Sequence, residues 1–361
     1  MEHQNKQTIN IVLSSDNNYA IYIPVLIESL YHTASKKYEY VITIADANIT
    51  DDTKNSIAYN AKEYENITIN YVNIDYIISK YKNLFVTFAH FTVSTYIRFF
   101  IADLLPDVDK VIYLDIDLLI KSDISELYEI NIENHMIAAA VDACYARQLY
   151  FNKHSEVAYS ENILGLPKGI SEFNAGVLLI NLKKWRDDNL TSKCLDKLAE
   201  IGTPRVLDQC ILNAVIKQDD IYKLPVEWNY VWHAELENLE PITKSNTFNE
   251  IIDNYNKKIN QIKIIHYTSG VKPWNIYDSY PNKTVIGYLA EEWWSTAAKT
   301  GIYTQLLASN VIKTYNNERI NFNNVKKFYL FNLRIFKIKQ TEHSKIYYLF
   351  NIPIIKIKNF Y

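Results

Sequence analysis

The first 75 residues alternate short apolar runs with amphipathic segments. Residues 9–14, 40–44 and 67–72 are rich in β-branched side chains and predict strands, while residues 19–32 and 51–64 predict helices between them. Parallel strands need a long crossover connection, so this order predicts a parallel, doubly wound sheet. In such sheets ligands bind at the carboxyl ends of the strands, and chemistry is expected at that edge.

Further elements follow from apolar runs and helical periodicity. We predict a helix at 93–105, a strand at 110–120, a strand at 176–182, a helix at 209–216, a polar peripheral segment at 236–261 and a strand at 262–265. Alternating strands and helices place the chain in the α/β class, with a mostly parallel sheet.

The C-terminal region has a different pattern. Residues 309–325 are rich in Asn and lack periodicity, which predicts a linker between a body, 1–308, and a tail, 326–361. Within the tail, residues 328–339 match residues 347–358 at eight of twelve positions. Dense aromatic and β-branched residues favour two short antiparallel or stacked strand units over helices.

Charge is unevenly divided between these parts. The net charge is −3, but the tail alone carries +7 and the rest of the chain −10. A basic tail on an acidic body predicts an anionic partner surface, and the inner leaflet of a membrane fits better than nucleic acid. The alternative is that the tail packs on the body or on a second subunit of a homo-oligomer.

Hydrophobic content and cysteine spacing indicate the cellular compartment of the protein. The chain is 48% hydrophobic, enough for a large core, yet it has no apolar stretch of about 18 residues and does not begin like a secretion signal. Its three cysteines, Cys144, Cys194 and Cys210, are widely spaced and fit neither a disulfide framework nor a metal site. We expect a cytoplasmic protein, peripheral on the inner face of the membrane if the tail docks there.

Asp115, Ile116 and Asp117 place two carboxylates inside the apolar run 110–120. Residues two apart in a strand point to the same side, so the carboxylates are expected side by side. Two buried anions are costly unless a cation compensates them, and oxygen ligands suit Mg²⁺ or Mn²⁺, which in turn bridge a diphosphate. The alternative is that one Asp caps the next turn and the other is solvated.

His266 follows the predicted strand 262–265 and is expected at the same sheet edge. An imidazole beside two carboxylates favours Mn²⁺, because Mg²⁺ prefers oxygen ligands. Lys272, in the same segment, is a cation that can offset phosphate charge. The alternative is that His266 is a structural loop residue.

Six short motifs occur in a fixed order along about three quarters of the chain. They are Ser14-Ser15-Asp16-Asn17-Asn18-Tyr19, Tyr96-Ile97-Arg98, Asp115-Ile116-Asp117, Phe173-Asn174-Ala175-Gly176 with the run to Trp185, Asp208-Gln209, and His266 through Trp274. Each is weak alone, but in this order they resemble glycosyltransferase family 8. That family comprises retaining enzymes of the GT-A fold, including bacterial lipopolysaccharide galactosyl- and glucosyltransferases and glycogenin.

The resemblance implies a binding site for a UDP-sugar. Asp16 and Tyr19 would hold and stack on uracil, and Asn18 would assist the nucleotide. Arg98 would contact the donor, as would Ile116 between the two carboxylates.

The resemblance also implies a metal and diphosphate site. Asp115, Asp117 and His266 would be the metal ligands, and Lys272 with the neighbouring Gly270 would hold the diphosphate. The chain departs from the family in this loop, because Ser269 stands where the family often has Gly. This predicts a differently shaped loop over the phosphates.

On the sugar side, the resemblance implies that Asn174 and Ala175 line the pocket and that Asp208 binds donor-sugar hydroxyls. Gln209 would lie under the reacting anomeric carbon, and Asp142 would meet donor or acceptor. Structural alternatives remain for three sites: Asp208 as a helix N-cap, residues 174–176 as a turn, and Arg98 as a surface charge.

These expectations combine into one reaction. The chain would move a hexose, galactose, glucose or an N-acetylhexosamine, from a UDP-sugar to a glycan or lipid-linked glycan in lipopolysaccharide or capsule synthesis. Gln209 is a poor nucleophile, so attack from the departing face is favoured over a covalent intermediate. The rivals are a nucleotidyltransferase, disfavoured because residues 14–19 contain no Gly, a glycogenin-like self-glucosylating enzyme, and a non-catalytic membrane-docked binding protein.

Overall fold

In the computed structural model, the described residues are 6–87, 92–143, 154–168, 170–231, 253, 255, 257–268, 272–274, 285–309, 325–330, 333–341, 344–349 and 352–358. Contacts divide the chain into two units, one of Met1–Pro273 and Pro281–Tyr303, the other of Trp274–Tyr280 and Thr304–Tyr361. Most of the predicted segment 236–261, and residues 310–324 of the predicted linker, lie outside the described residues.

The first unit has ten described strands in two sheets. They are β1 (Gln7–Asp16), β2 (Tyr38–Ala47), β3 (Ile67–Asn73), β4 (Lys110–Leu114), β5 (Leu118–Ile120), β6 (Ile137–Val141), β7 (Phe173–Asn181), β8 (Ile221–Lys223), β9 (Tyr230–Val231) and β10 (Ile264–His266). The large sheet has the order β3-β2-β1-β4-β7-β6-β8, and the small sheet has the order β5-β10-β9.

The large sheet is mostly parallel, as the βαβαβ pattern predicts. Strands β3, β2, β1 and β4 are mutually parallel, β7 runs antiparallel to both β4 and β6, and β8 is parallel to β6. All residues of β7 except Asn181 are buried, because neighbouring strands flank it on both sides. The carboxyl ends of β1 and β4 therefore lie beside the amino end of β7, where the sheet direction changes.

Helices connect these strands. The described α-helices are Asn17–Ala20, Ile23–Thr33, Asp51–Ala61, Asp75–Tyr81, Ile101–Leu104, Ser125–Tyr128, His154–Asn162, Leu182–Asp187, Leu190–Ile201, Leu207–Val215 and Val285–Ala297. The described 3-10 helices are Val93–Phe100, Gln218–Asp220, Val226–Asn229 and Ile259–Gln261. Among the described residues, no helix combines the length and hydropathy needed to cross a membrane.

The predicted strand at 110–120 is wrong as a single element. The chain leaves the large sheet after β4, passes through residues 115–117 without strand pairing, and joins the small sheet as β5. Backbone hydrogen bonds hold this crossing in place, from Asp115 N to Gly176 O at 2.8 Å and from Tyr267 N to Asp117 O at 2.9 Å. The two carboxylates thus lie between two sheets and not within one strand.

Two other predicted elements differ in detail. The predicted helix at 19–32 is divided into Asn17–Ala20 and Ile23–Thr33, because Pro24 sits in the first turn of a new helix, where proline is favoured. The predicted helix at 93–105 is 3-10 up to Phe100 and α-helical from Ile101 to Leu104.

In the second unit, four antiparallel strands form one sheet in chain order. They are β11 (Val325–Leu330), β12 (Leu333–Thr341), β13 (Ser344–Leu349) and β14 (Ile352–Lys358). One repeat copy spans β11 and β12 and the other spans β13 and β14, and each pair has a register shift, at Phe328/Tyr329 and at Tyr347/Tyr348. The antiparallel strand units predicted from the repeat are confirmed.

Candidate active site

A cavity of about 350 Å³ opens where β1, β4 and β7 meet. It is lined by hydroxyls, amides and charged side chains that the sequence places far apart. Of the residues predicted from sequence, the structure brings these to the cavity wall: Tyr19, Arg98, Asp115, Ile116, Asp117, Asp142, Asn174, Ala175, Asp208, Gln209, His266 and Lys272. Asp16 and Asn18 adjoin Tyr19 but do not line the cavity, and Gly270 lies outside the described residues.

Asp115, Asp117 and His266 form one cluster. His266 Nε2 lies 3.3 Å from Asp117 Oδ1 and 3.6 Å from Asp115 Oδ2, and one ligand atom from each residue falls within 4.8 Å of the others. The crossing between the sheets supplies the two carboxylates, and the last residue of β10 supplies the imidazole. Two oxygens and one nitrogen on a single side are a donor set suited to a divalent cation.

Gly176 leaves the room that this cluster occupies. A Cβ built at Gly176 would lie 2.1 Å from His266 Cε1 and 2.7 Å from Asp115 Oδ2, closer than any real side chain permits. Residues 174–176 belong to β7, so the turn alternative for them is wrong. Only glycine therefore fits in β7 beside the cluster. The two carboxylates and the imidazole are a donor set that fits a metal ion.

Lys272 compensates part of the cluster's charge. Its Nζ lies 2.5 Å from Asp117 Oδ2 and donates to Tyr267 O at 2.6 Å, and its side chain is 6% exposed. Burial alone would raise the pKa of Asp117, but the Lys272 ammonium and the His266 ring outweigh burial and hold that pKa below its ordinary value. Asp117 is therefore an anion at neutral pH, as metal binding requires.

Arg98 joins the cluster to Asp208. Its guanidinium donates to Asp115 Oδ1, to Asp208 Oδ2 and to Thr95 Oγ1, and it lies 4.5 Å from the centre of the Tyr113 ring. Arg98 is buried, so the surface-charge alternative for it is wrong. Its Nε is buried and has no hydrogen-bond partner in the described part of the chain.

Asp208 does not cap a helix. It lies in the first turn of Leu207–Val215, Val206 occupies the N-cap without a side-chain bond, and the Asp208 carboxylate binds Arg98 and also accepts from Thr95. The N-cap alternative is therefore wrong. Burial raises the pKa of Asp208 above its ordinary value, and the guanidinium of Arg98 offsets only part of that effect.

Hydrogen bonds fix the amide side of the cavity. Gln209 Oε1 accepts from Ala175 N at 3.0 Å, and Gln209 Nε2 donates to Asp142 Oδ2 at 2.7 Å. Asn174 Nδ2 donates to the same carboxylate oxygen at 3.2 Å. Asp142, Asn174 and Gln209 are all buried, so this hydrogen-bonded set forms a rigid polar part of the cavity wall.

The loop after β1 supplies an aromatic wall. Asp16 Oδ1 caps the helix Asn17–Ala20 by accepting from Asn18 N and Tyr19 N, at 2.9 and 3.0 Å. The cap orients Tyr19 toward the cavity, while Asn18 is exposed. Burial, with Asp117 as the next cause, raises the pKa of the Tyr19 hydroxyl, so the ring is neutral.

Several cavity residues lack a sequence signal of their own. Tyr113 and Thr95 hold the Asp115 and Asp208 carboxylates, and Thr268 presents a buried Oγ1 that has no hydrogen-bond partner among the described residues. Glu172 also lines the cavity, and Asn229, which is not part of the lining, contacts His266. Position next to a motif would have pointed to Thr95, Tyr113, Glu172 and Thr268, but nothing in the sequence marks Asn229.

Comparison with known proteins agrees with this geometry. The model of the family described as Glycosyl transferase family 8 matches residues 10–277. General stress protein A of Bacillus subtilis (strain 168) is 26% identical over 302 residues, which are 82% of this chain and 98% of that protein. Lipopolysaccharide 1,3-galactosyltransferase of Salmonella typhimurium is 27% identical over 290 residues, 78% of this chain and 77% of that protein.

Other relatives are longer than the matched region. A putative glycosyltransferase of Haemophilus influenzae is 33% identical over 212 residues, and the match spans 58% of this chain and 60% of that protein. Thus the match extends over about three fifths of that relative's length.

Solved structures share the fold. An active-site mutant of LgtC superposes with a TM-score of 0.64 at 24% identity, covering 81% of this chain and 96% of that one. The apo structure of the bifunctional glycosyltransferase WbbM has a TM-score of 0.70 at 23% identity, covering 86% and 53%. The predicted GT-A fold is confirmed, and the nucleotidyltransferase alternative is wrong because the matched family is one of glycosyltransferases. This chain therefore belongs to glycosyl transferase family 8 and is a glycosyltransferase.

Proposed function

We propose that the protein is a Mn²⁺-dependent, retaining hexosyltransferase that moves galactose, glucose or an N-acetylhexosamine from a UDP-sugar to a glycan. The observation that carries this proposal is the cluster of Asp115, Asp117 and His266 at the wall of a cavity that Asp142 and Gln209 also line. That arrangement offers a cation site, a phosphate site and a sugar site next to one another.

The donor set favours manganese. Two carboxylates and an imidazole suit Mn²⁺ better than Mg²⁺, which prefers an all-oxygen shell, although Mg²⁺ can use the same carboxylates. A divalent ion held there neutralises negative charge on a diphosphate leaving group. Lys272 supplies a second positive charge from this chain, since its ammonium already lies against Asp117.

The nucleotide is assigned to the wall made by the first loop. Tyr19 offers a ring for stacking on uracil, with Asp16 and Asn18 next to it at the carboxyl end of β1. Arg98, which lines the cavity, would contact the donor. With Gly270 outside the described residues, the diphosphate contacts that the geometry supports come from Lys272.

The sugar is assigned to the amide wall. Asp208 would accept bonds from donor-sugar hydroxyls, while Asn174 and Ala175 shape the pocket and Asp142 meets donor or acceptor. Gln209 Oε1 already accepts from Ala175 N, so its better nucleophilic atom is occupied by the backbone. This supports attack by the acceptor from the departing face, with the leaving phosphate taking the acceptor proton. A glycosyl adduct trapped on Gln209 or Asp142 would contradict it.

For the acceptor, we propose a bacterial surface glycan on a lipid carrier, as in lipopolysaccharide or capsule synthesis. Relatives include a lipopolysaccharide 1,2-glucosyltransferase of Escherichia coli and the 1,3-galactosyltransferase of Salmonella typhimurium. The galactosyltransferase LgtC, which shares the fold, was crystallised with donor and acceptor sugar analogs.

The C-terminal sheet supports docking on an anionic membrane surface. Strand register, with alternate residues on opposite faces, assigns five lysines to one face: Lys327, Lys337, Lys339, Lys356 and Lys358. The same register assigns these mainly apolar residues to the other: Phe328, Phe336, Ile338, Tyr347, Leu349, Ile355 and Ile357. We propose that the lysine face lies against anionic lipid headgroups, which brings the enzyme to a lipid-linked acceptor.

The reaction is tested by its product. The protein is incubated with Mn²⁺, UDP-galactose or UDP-glucose, and short lipopolysaccharide-core saccharides, and the new linkage is assigned by NMR. We expect an α-linked hexose from the α-configured donor. A β-linked product would contradict retention, and mass added to the protein itself in intact mass spectra would support the self-glucosylating alternative.

Membrane docking is tested by flotation with vesicles. We expect binding to vesicles containing phosphatidylglycerol and none to pure phosphatidylcholine. Lys337→Gln with Lys356→Gln should weaken binding by about fivefold for each lysine, since each basic residue near such a surface contributes about 1 kcal/mol. Lys326→Gln with Lys345→Gln, which register puts on the apolar face, is the matched control. Equal losses for the two pairs would contradict the assigned face.

A further inference from the structure

Asn229 is buried completely and touches the metal cluster without belonging to it. It ends the 3-10 helix Val226–Asn229, immediately before β9. Strand β9 pairs in parallel with β10, with Tyr230 opposite Ile265 and Val231 opposite His266, so Asn229 lies just before the paired segment. The amide of Asn229 lies 2.9 Å from His266 on one side and 2.9 Å from Asn174 on the other.

The direction of these hydrogen bonds can be read from the backbone. Gly176 N–H can only donate, and it lies 2.9 Å from the Asn174 side chain, so the Asn174 atom there is the accepting Oδ1. The same Oδ1 faces Asn229, so the Asn229 atom opposite it must be the donating Nδ2. The remaining Asn229 atom, Oδ1, therefore faces His266 Nδ1 and accepts from it.

This sequence of bonds determines the state of the histidine ring. If His266 Nδ1 donates to Asn229, the neutral ring carries its proton on Nδ1 and its lone pair on Nε2. Nε2 is the atom that faces Asp115 and Asp117, at 3.6 and 3.3 Å. The lone pair is thus directed into the cluster, where a cation is expected. The opposite Asn229 orientation would set two donors or two acceptors against each other in a buried site.

We propose that Asn229 is a positioning residue that holds His266 as the Nδ1–H tautomer with Nε2 ready to bind the metal, and that the backbone N–H of Gly176 sets this state through Asn174. The inference rests on the proposed metal site, because a fixed tautomer of His266 matters when Nε2 binds a metal ion. Metal-binding histidines in proteins commonly have such an acceptor on the second ring nitrogen.

The same strand also orients the sugar side of the cavity. Asn174, with its Oδ1 facing Gly176 and Asn229, turns its Nδ2 to Asp142. The backbone N–H of Ala175, one residue before Gly176 in β7, donates to Gln209 Oε1. Gln209 Nε2 then donates to the same Asp142 oxygen that Asn174 contacts. Adjacent backbone amides of one strand therefore set both the metal ligand and the carboxamide at the proposed reaction centre.

The first readout needs no metal. The protein is labelled with ring-¹⁵N histidine and studied by NMR without metal, and His266→Gln identifies the signal. We expect the wild-type ring to carry a proton on Nδ1, because Asn229 Oδ1 accepts from that nitrogen. Asn229→Asp keeps an acceptor for Nδ1–H and should keep this proton, whereas Asn229→Leu removes the acceptor and should give a mixture or the form protonated on Nε2 alone.

The second readout is Mn²⁺ affinity, from the electron paramagnetic resonance signal of free Mn²⁺ during titration. We expect Asn229→Leu to raise the Kd by about 10- to 100-fold, the usual range for loss of such a partner, and Asn229→Asp not to raise it. The matched control is Asn213→Leu, because Asn213 is also buried and, within the described part of the chain, hydrogen-bonds to the backbone of Phe173 and Gln209. The control should leave tautomer and Kd unchanged.

The outcomes separate this inference from the metal proposal. A wild-type ring without a proton on Nδ1, or equal Kd changes in Asn229→Leu and Asn213→Leu, overturns the role of Asn229. If wild type binds no Mn²⁺ but shows the Nδ1–H tautomer that Asn229→Leu disturbs, the tautomer assignment stands and the metal proposal fails. If Asn229→Leu does not fold, the wild-type spectrum and Asn229→Asp still decide the assignment.

Discussion

The active-site cavity and the C-terminal sheet both concentrate charge, but they do so in opposite ways. In the cavity, each buried charge faces an opposite charge or a fixed hydrogen-bond donor, as Arg98 does between Asp115 and Asp208. In the sheet, register places five lysines on one face of a repeated hairpin. This pattern comes from the sequence repeat and not from ion pairs. One region has a specific arrangement of few charges, and the other has many similar charges.

This difference predicts different responses to substitution. Removing one member of a buried ion pair leaves its partner uncompensated in a medium of low polarity, so single changes should be severe and not additive. If the C-terminal sheet docks as proposed, its lysines would act on the lipid surface through water, and changes there should be graded, additive and weakened by salt. The predictions below follow from that contrast.

The largest effect is expected at Arg98. Arg98→Met leaves the Asp115 and Asp208 carboxylates without their shared cation, and we expect a loss of about 3–5 kcal/mol in the free energy of unfolding, measured with urea. The control is Lys183→Met, which breaks the exposed pair with Asp187 and should cost about 0–1 kcal/mol. A loss at Arg98 as small as at Lys183 would remove the distinction between the two regions.

The second-largest effect is expected from a steric change at Gly176. Gly176→Ala inserts a methyl group against His266 and Asp115 and displaces the ligands. A shift of about 1 Å can cost about 100-fold in rate, so we expect turnover of donor to fall by at least that factor. Gly301→Ala is the control, because a Cβ there would lie 3.2 Å from the side chain of Asn60 and far from the cavity. Normal turnover in Gly176→Ala would show that the cluster is not held against β7.

The smallest effect is expected from salt. Raising the ionic strength from about 0.1 M to about 1 M shortens the screening length from about 10 Å to about 3 Å, so binding to phosphatidylglycerol vesicles should weaken severalfold. Release of UDP in solution, which depends on buried charges, should change by less than binding does. Vesicle binding that resists salt would point to apolar contacts of the sheet and not to its lysine face.

Parts of this molecule could be predicted from sequence because they depend on local patterns. The alternation of β-branched runs and helical periodicity in the first 75 residues gave β1 to β3 and their parallel order. The tail repeat gave the antiparallel hairpins for the same reason. The ordered motifs located most residues that line the cavity, because each motif includes a side chain that reaches it.

Other parts depend on contacts between distant segments. The break in 110–120 occurs because Asp117 O accepts from Tyr267 N, a partner that the apolar run itself does not reveal. Gly176 is recognisable as part of a motif, but the sequence does not show why a glycine is needed there. The reason, the lack of space beside His266, is visible only in the structure. Asn229 has no signal at all, since its role depends on the pairing of β9 with β10.

The most direct test of the central claim is UDP release from a panel of UDP-sugars with Mn²⁺ or with EDTA. Three proteins are compared: wild type, Asp117→Ala, and Asp187→Ala, whose carboxylate is on the surface. We expect Mn²⁺-dependent release from one or few UDP-sugars, retained in Asp187→Ala and lost in Asp117→Ala. Release that persists in EDTA or in Asp117→Ala, or no release from any sugar even with glycan acceptors present, would contradict it.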